Sequence, residues 1–351
     1  VDDDASPIVI PIENIYYLLC YAWNRLEESE LVDAGSLESN SLVELLAKVL
    51  GSGTRHLLRR GLDRGYVEHE EATCSLRGRI DFQTSVKRNL FQNAQAWCVF
   101  DELTYDVPHN RILKATLRRL AFSTPLKTEI RNEMLGLFRR IEPVSDITLR
   151  SDSFRRVQLH RNNSFYGFLL NVCRILHDEL LPEEGGDGGP FRDFTRDEKK
   201  MPKLFEEFVR QFYRREQSRY KVSAKSLAWQ LISGQDDSLD LLPQLNTDVT
   251  LSSSERTQVI DTKFYREALI QHHGKKMYHP GHVNQIFAYV TNVKVLEEKE
   301  PEQVEGMLLY PTVEEELNHE IEMHGHRIRI STVNLAQPWQ EIHARLLTLL
   351  H

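Results

Sequence analysis

The chain has 351 residues, 40% of them hydrophobic, and a formal net charge of −8. That length and apolar content suit two domains with sizeable cores, while no apolar run could span a membrane and the acidic start VDDDASP is unlike a secretory signal, so a cytoplasmic protein is expected. The negative balance gives no general attraction to nucleic acid, and Cys20, Cys74, Cys98 and Cys173, without any Cys-x-x-Cys spacing, read as reduced thiols.

In chain order, Ile12, Ile15, Tyr16, Leu19, Trp23 and Leu26 recur at helical spacing, predicting a core helix whose aromatic residues serve packing. A second helix should begin near Ser41, whose spacing to Glu44 matches a capping box. Gly51 and Gly53 are expected to interrupt it before the basic RHLLRRGLDRG. There Arg55, Arg59 and Arg60 read as a solvated face or as contacts for phosphate or an acidic partner. From Tyr66 to Asp101, YVEHEEATCSLRGRIDF and AQAWCVFDEL read as strands joined by a short helix near Thr84 to Leu90. Gly78, between Arg77 and Arg79, marks a close backbone approach or a bulge. This strand-rich insertion is either a partner-contact element or a small sheet packed within its own domain. Helices resume with VPHNRILKATLRRLAF, with LKTEIRNEMLGLFRRI, and from about Ser164 to Leu181. The segment PEEGGDGGP then ends regular structure and reads as a linker. The expected division is therefore a domain over 1–181, a Gly-rich linker over 182–195 and a second domain over 196–351.

The second domain opens with the helical pattern PKLFEEFVRQFYRRE, which puts Leu204, Phe205, Phe208, Val209 and Phe212 on one face. Glu206 lies between these apolar positions and faces either the sheet or solvent. The segments SLAWQLI, GMLLYP and IRISTVNL read as strands of a central sheet, with a closing helix from about Trp339. Between them, NTDVTLSSSERTQVIDTKFY holds two short apolar runs around a polar turn, a hairpin pattern. Strand alternation points Asp261 and Lys263 the same way, and pairing of the runs brings Asp248 towards Asp261. Two carboxylates and an ammonium on one sheet face are unfavourable as mere packing but suit a divalent cation, with the lysine near an activated water or a phosphate oxygen. Asp197-x-Lys199, Glu198-x-Lys200 and Glu297-x-Lys299 share the short spacing but lie in solvated charge runs without strand character. Downstream, HVNQIFAYV places Gln285 and Tyr289 on one helical face. His272, His273, His279 and His282 cluster in the intervening loop; without cysteine partners or zinc spacing they suit a DNA-contacting loop better than a zinc site. Gly274-Lys275-Lys276 lacks the earlier glycine of a phosphate-binding loop, so nucleotide-driven work must come from a partner.

The ordered set of helix, Asp, Asp-x-Lys hairpin and Gln-x-x-x-Tyr helix resembles the RecB-like branch of the PD-(D/E)XK nucleases. Together with VIPIENIYYLLCYAW, LRGRIDF, FDELTYDVPHNRILKATL, FRDFTRDEKKM, LLPQLNTDVTL and TVNLAQPW, it resembles the McrC family, nuclease subunits of McrBC modification-dependent restriction systems, over nearly the whole chain. The resemblance implies an α+β N-terminal domain followed by an α/β PD-(D/E)XK endonuclease-like domain. It implies Asp248 and Asp261 as Mg²⁺ ligands and Lys263 as catalytic lysine, with Glu206, Gln285 and Tyr289 in support. The proline that often precedes the first Asp is absent, Asn246-Thr247 standing there instead. Implied partners are an McrB-like AAA+ GTPase hexamer, whose GTP hydrolysis the N-terminal region stimulates, DNA with modified cytosine, and a second copy through the nuclease domain. The alternative is a non-catalytic regulatory subunit of the AAA+ ring.

Overall fold

The structure, a computed structural model, describes residues 10–27, 41–124, 126–160, 163–180, 200–230, 241–264, 269–272, 275–312 and 316–351. The expected linker over 182–195 lies outside them. The chain divides into two compact units, one from Ser41–Arg192, the other from Val1–Asn40 together with Asp193–His351.

The Ser41–Arg192 unit is a helical cluster carrying a small sheet. Helix α2 (Leu42–Arg60) runs unbroken through Gly51 and Gly53, contrary to the sequence expectation. The reason is packing. A Cβ on Gly51 would press on Met134, and one on Gly53 on Leu169, so both glycines admit neighbouring helices. Ser41 is at the N-cap but makes no side-chain capping bond; Glu44 is buried and lies 3.5 Å from Lys127 instead. Helices α4 (Pro108–Ala121) and α5 (Thr128–Arg140), with α6 (Ser164–Ile175), complete the cluster, α3 (Phe82–Lys87) being the short helix between strands. The sheet has order β1-β3-β2, all antiparallel, from β1 (Gly65–Thr73), β2 (Arg79–Asp81) and β3 (Ala96–Thr104). Gly78 sits at φ +64°, where a Cβ would collide with the Val99 carbonyl and with Phe100, so the close approach read from the sequence is real.

The second unit is a mixed α/β layer structure. Its strands are β4 (Lys221–Ser223), β5 (Ser226–Leu227), β6 (Leu245–Asn246), β7 (Val249–Ser252), β8 (Thr257–Thr262), β9 (Leu269–His272), β10 (Lys275–Tyr278), β11 (Val304–Thr312), β12 (Asn318–Met323) and β13 (His326–Asn334). Among the described residues, six of them form a sheet of order β12-β13-β11-β8-β7-β4, parallel at β8–β11 and β11–β13 and antiparallel elsewhere. All nine positions of β11 are buried, as a central parallel strand covered on both faces requires. On one face lies α8 (Pro280–Leu296), whose Ile286, Tyr289, Val290 and Val293 cluster with Val259, Leu308, Tyr310, Ile328 and Ile330. Gly306 allows this contact, because a Cβ there would come within 2.8 Å of Ile286.

Helix α1 (Ile12–Ala22) was expected in the N-terminal domain, but it packs on α7 (Lys200–Glu216) of the second unit. Its aromatic stripe finds a matching stripe: Tyr21 meets Phe208, Phe212 and Trp339 of α9 (Trp339–Thr348) at centroid distances of 5.7, 5.4 and 5.3 Å. Tyr21 OH donates to Glu216 Oε1 at 2.8 Å, and Asn14 Nδ2 donates to the Leu335 and Gln337 carbonyls, each at 2.8 Å. Proximity in sequence to the first domain was outweighed by complementary apolar faces. Of SLAWQLI, the described residues 226–230 form less strand than the pattern suggested, Ser226–Leu227 pairing with β6.

Candidate active site

The β7–β8 register sets the centre of the site. Val249 pairs with Ile260 and Thr250 with Val259, so one further step puts Asp248 opposite Asp261. The sequence reading of this hairpin therefore stands residue for residue. Lys263 N–H donates to the Leu309 carbonyl at 2.9 Å, extending β8 along β11 and keeping Lys263 on the Asp261 side. Phe264 turns the other way and meets Phe205 of α7 edge-on at 5.9 Å.

Asp261 is fully buried, and its Oδ1 receives no hydrogen bond. Its compensating contact is an ion pair, Lys263 Nζ lying 2.8 Å from Oδ2. Burial pushes the Asp261 carboxyl up to about 7; the Lys263 ammonium opposes the rise, and the nearby charges of Asp248 and Glu206 add to it. Glu206 is raised as well, by burial and then by Asp248. A buried carboxylate with one oxygen unpartnered, beside Asp248 and Glu206 and paired to a single lysine, is short of positive charge.

Gln285 and Tyr289 form one chain of hydrogen bonds with Lys263. Lys263 Nζ donates to Gln285 Oε1 at 2.9 Å, Gln285 Nε2 to Tyr289 OH at 2.6 Å, and Tyr289 OH to the Asn246 carbonyl at 2.6 Å. This chain fixes the ammonium from α8 and ties it to the backbone two residues before Asp248. Gln285 and Tyr289 thus lie where the helical spacing put them. Glu206 reaches the site through Arg210, whose Nη1 donates to Glu206 Oε1 and to the Asp248 carbonyl, both at 3.0 Å.

Sequence reasoning missed two neighbours, Arg210 and Thr262, and put a third, His282, in a loop, whereas it lies on α8. Arg210 stands four residues after Glu206, a helical ion-pair spacing that was legible in principle. Thr262, the middle residue of Asp-Thr-Lys, donates to Asp248 Oδ2 from both its N–H and its hydroxyl, each at 2.7 Å. His282, one turn before Gln285, bonds Tyr310 OH at 2.9 Å; burial first, then Lys263 and His279, push it down to about 4, so it is neutral. His279 and His282 stack at 4.2 Å, while His273 and the side chain of His272 lie outside the described residues.

Among the described residues, no three His, Cys, Asp or Glu side chains gather closely enough to hold a metal by themselves. The donor set is two carboxylates, Asp248 and Asp261. That suits Mg²⁺, which keeps several waters and takes one or two protein carboxylates plus substrate phosphate oxygens. The unpartnered buried Oδ1 of Asp261 fits such an ion. Also among the described residues, no helix is long and apolar enough to cross a membrane.

Comparison with known proteins follows the same line. A family described as McrBC 5-methylcytosine restriction system component matches residues 13–311. A relative from Escherichia coli (strain K12), the type IV methyl-directed restriction enzyme EcoKMcrBC, is 33% identical over 339 residues, 97% of each chain. A solved structure of Thermococcus gammatolerans McrB AAA+ hexamers with bound McrC contains a chain of similar fold, TM-score 0.59 at 17% identity, covering 97% of this chain and 76% of that one.

Proposed function

Because the chain belongs to the family of McrBC 5-methylcytosine restriction system components, we propose that it is the DNA-cutting subunit of a GTP-dependent complex directed at modified cytosine. The observation that carries this reading is Asp261, buried, with Oδ1 unpartnered, Oδ2 2.8 Å from Lys263, and standing opposite Asp248. A sheet that needed only packing would place apolar residues there. Asp248 and Asp261 would hold Mg²⁺, which when bound would supply neutralisation of phosphoryl charge and a lowered water pKa. Lys263, its ammonium held by Gln285, adds fixed positive charge where the phosphodiester oxygens gain charge during attack. Gln285 and Tyr289 keep that ammonium from following the substrate, so the stabilisation is already oriented before reaction. Glu206 and Arg210 brace Asp248 from α7.

The Ser41–Arg192 unit is proposed to dock on an AAA+ GTPase hexamer and to stimulate its GTP hydrolysis. Support comes from Leu76, in the connection between β1 and β2, and from Phe82 and Val86 on α3, 63–64% exposed, apolar surface that a partner would cover.

The test is to combine the chain with the GTPase encoded beside it, GTP, Mg²⁺ and methylated plasmid. Asp261→Ala should lose cleavage by at least a hundredfold while retaining GTPase stimulation. Cleavage by that variant at the wild-type rate would show that the acids serve structure and that the chain is a regulatory subunit.

A further inference from the structure

Asp248 sits just outside a ladder. Strand β7 begins at Val249, so the backbone of β7 no longer runs beside Thr262. Lys263 N–H points to β11, where it meets the Leu309 carbonyl, and strand alternation sends the Thr262 N–H towards the β7 side. There the acceptor is the Asp248 side chain. Oδ2 takes the Thr262 N–H and the Thr262 hydroxyl, both at 2.7 Å. The rest of the segment is held as firmly: the Asn246 carbonyl by Tyr289, the Asp248 carbonyl by Arg210, and Thr247 by its hydroxyl contact with Thr250 at 2.9 Å.

We infer that Thr262 is the positioning residue that selects which oxygen of Asp248 faces the metal. A carboxylate oxygen offers two lone-pair directions in its plane. With both taken by Thr262, Oδ2 is a poor further ligand, and Oδ1 is left to bind alone. The middle residue of Asp-Thr-Lys thereby acts on the other carboxylate of the pair, across the hairpin. Threonine suits this role because its β-branched side chain favours the strand and its hydroxyl lies beside its own N–H. The alternative is that Asp248 merely satisfies a strand-end N–H. The two differ over the hydroxyl, since Thr262→Val keeps the N–H and the side-chain shape and removes only the second donor.

This inference rests on the proposed nuclease site, so the experiment separates the two. Binding of Mn²⁺ alone to the full chain is followed by electron paramagnetic resonance of the free ion, with thermal melts of each metal-free variant. Asp248→Asn should lose the site. Thr262→Val should weaken Mn²⁺ 10–100-fold, the usual effect of deleting a hydrogen bond to a ligand, with a metal-free melting temperature close to wild type. Thr262→Ser, which restores the hydroxyl, should bind within about threefold of the unaltered chain, a small part of that same effect. Binding lost in Asp248→Asn but intact in Thr262→Val would overturn the positioning role and leave the site standing. Binding insensitive to Asp248→Asn would overturn both. Should Thr262→Val fail to fold, Thr262→Ala must show the same weakening, and wild-type affinity in that variant would overturn the inference.

Discussion

Asp261 is held in a state that the fold disfavours. Its carboxyl titrates near 7 in the folded chain, against about 4 for an unfolded aspartate. Between those values the folded state binds more protons than the unfolded one, so this group's contribution to stability is full below about pH 4 and declines through about pH 7. Asp261→Asn removes the charge and keeps the shape. In a chelator-containing buffer it should raise the melting temperature by several degrees at pH 8 and by much less at pH 5. Adding Mg²⁺ should close the pH 8 gap by stabilising the wild type alone. Equal gains at both pH values would mean that the Asp261 charge is not the source of the strain. At this scale the sequence was informative because alternation is a geometric rule: it put Asp261 and Lys263 on one side without any tertiary knowledge. It was silent on Thr262 and on the Arg210 bond to the Asp248 carbonyl, which depend on which atoms meet after the elements pack.

The β7–β8 hairpin and α8 carry the site as elements. The hairpin was legible because apolar runs flank a polar turn, and Gln285 and Tyr289 share a face because they stand four apart. The helix α2 glycines were misread because a glycine in a helix weakens it locally, whereas here two neighbouring helices need the space. The connections of the small sheet illustrate the same limit in reverse, since their exposed apolar residues are visible only once the strands are built. Replacing Phe82 and Val86 by serine should lower stimulation of the partner GTPase at least tenfold, with the melting temperature of the isolated chain unchanged because both side chains are about 64% exposed. Stimulation at the wild-type level would remove α3 from the docking surface.

At the scale of the molecule, the net charge of −8 should repel a polyanion except at local basic patches, so the isolated chain is a weak collector of DNA. A GTPase partner that delivers DNA would supply both concentration and orientation. Incubated alone with Mg²⁺ and unmodified plasmid, the chain should cut at less than a hundredth of the rate seen with partner, GTP and methylated plasmid. Robust cutting by the chain alone, lost in Asp261→Ala, would keep the active site and discard licensing by the partner. Any dissection of docking from cutting should also respect α1, which belongs with the second unit; a fragment ending at residue 181 but starting at residue 1 would strip α7 of its aromatic partner.

What the sequence determined by itself was whatever depends on local periodicity: the helices, the β7–β8 hairpin, the faces on which Asp261, Lys263, Gln285 and Tyr289 stand, and the kinship those residues reveal. What the tertiary structure decided was whatever depends on long-range complementarity. Helix α1 chose the distant α7 because two aromatic stripes bury each other, and Asp248 found Thr262 because β7 begins two residues short of the end of its neighbour β8. Periodicity is fixed by backbone geometry within a few residues; partner choice is fixed by which surfaces leave water together, and a one-dimensional pattern does not contain that pairing.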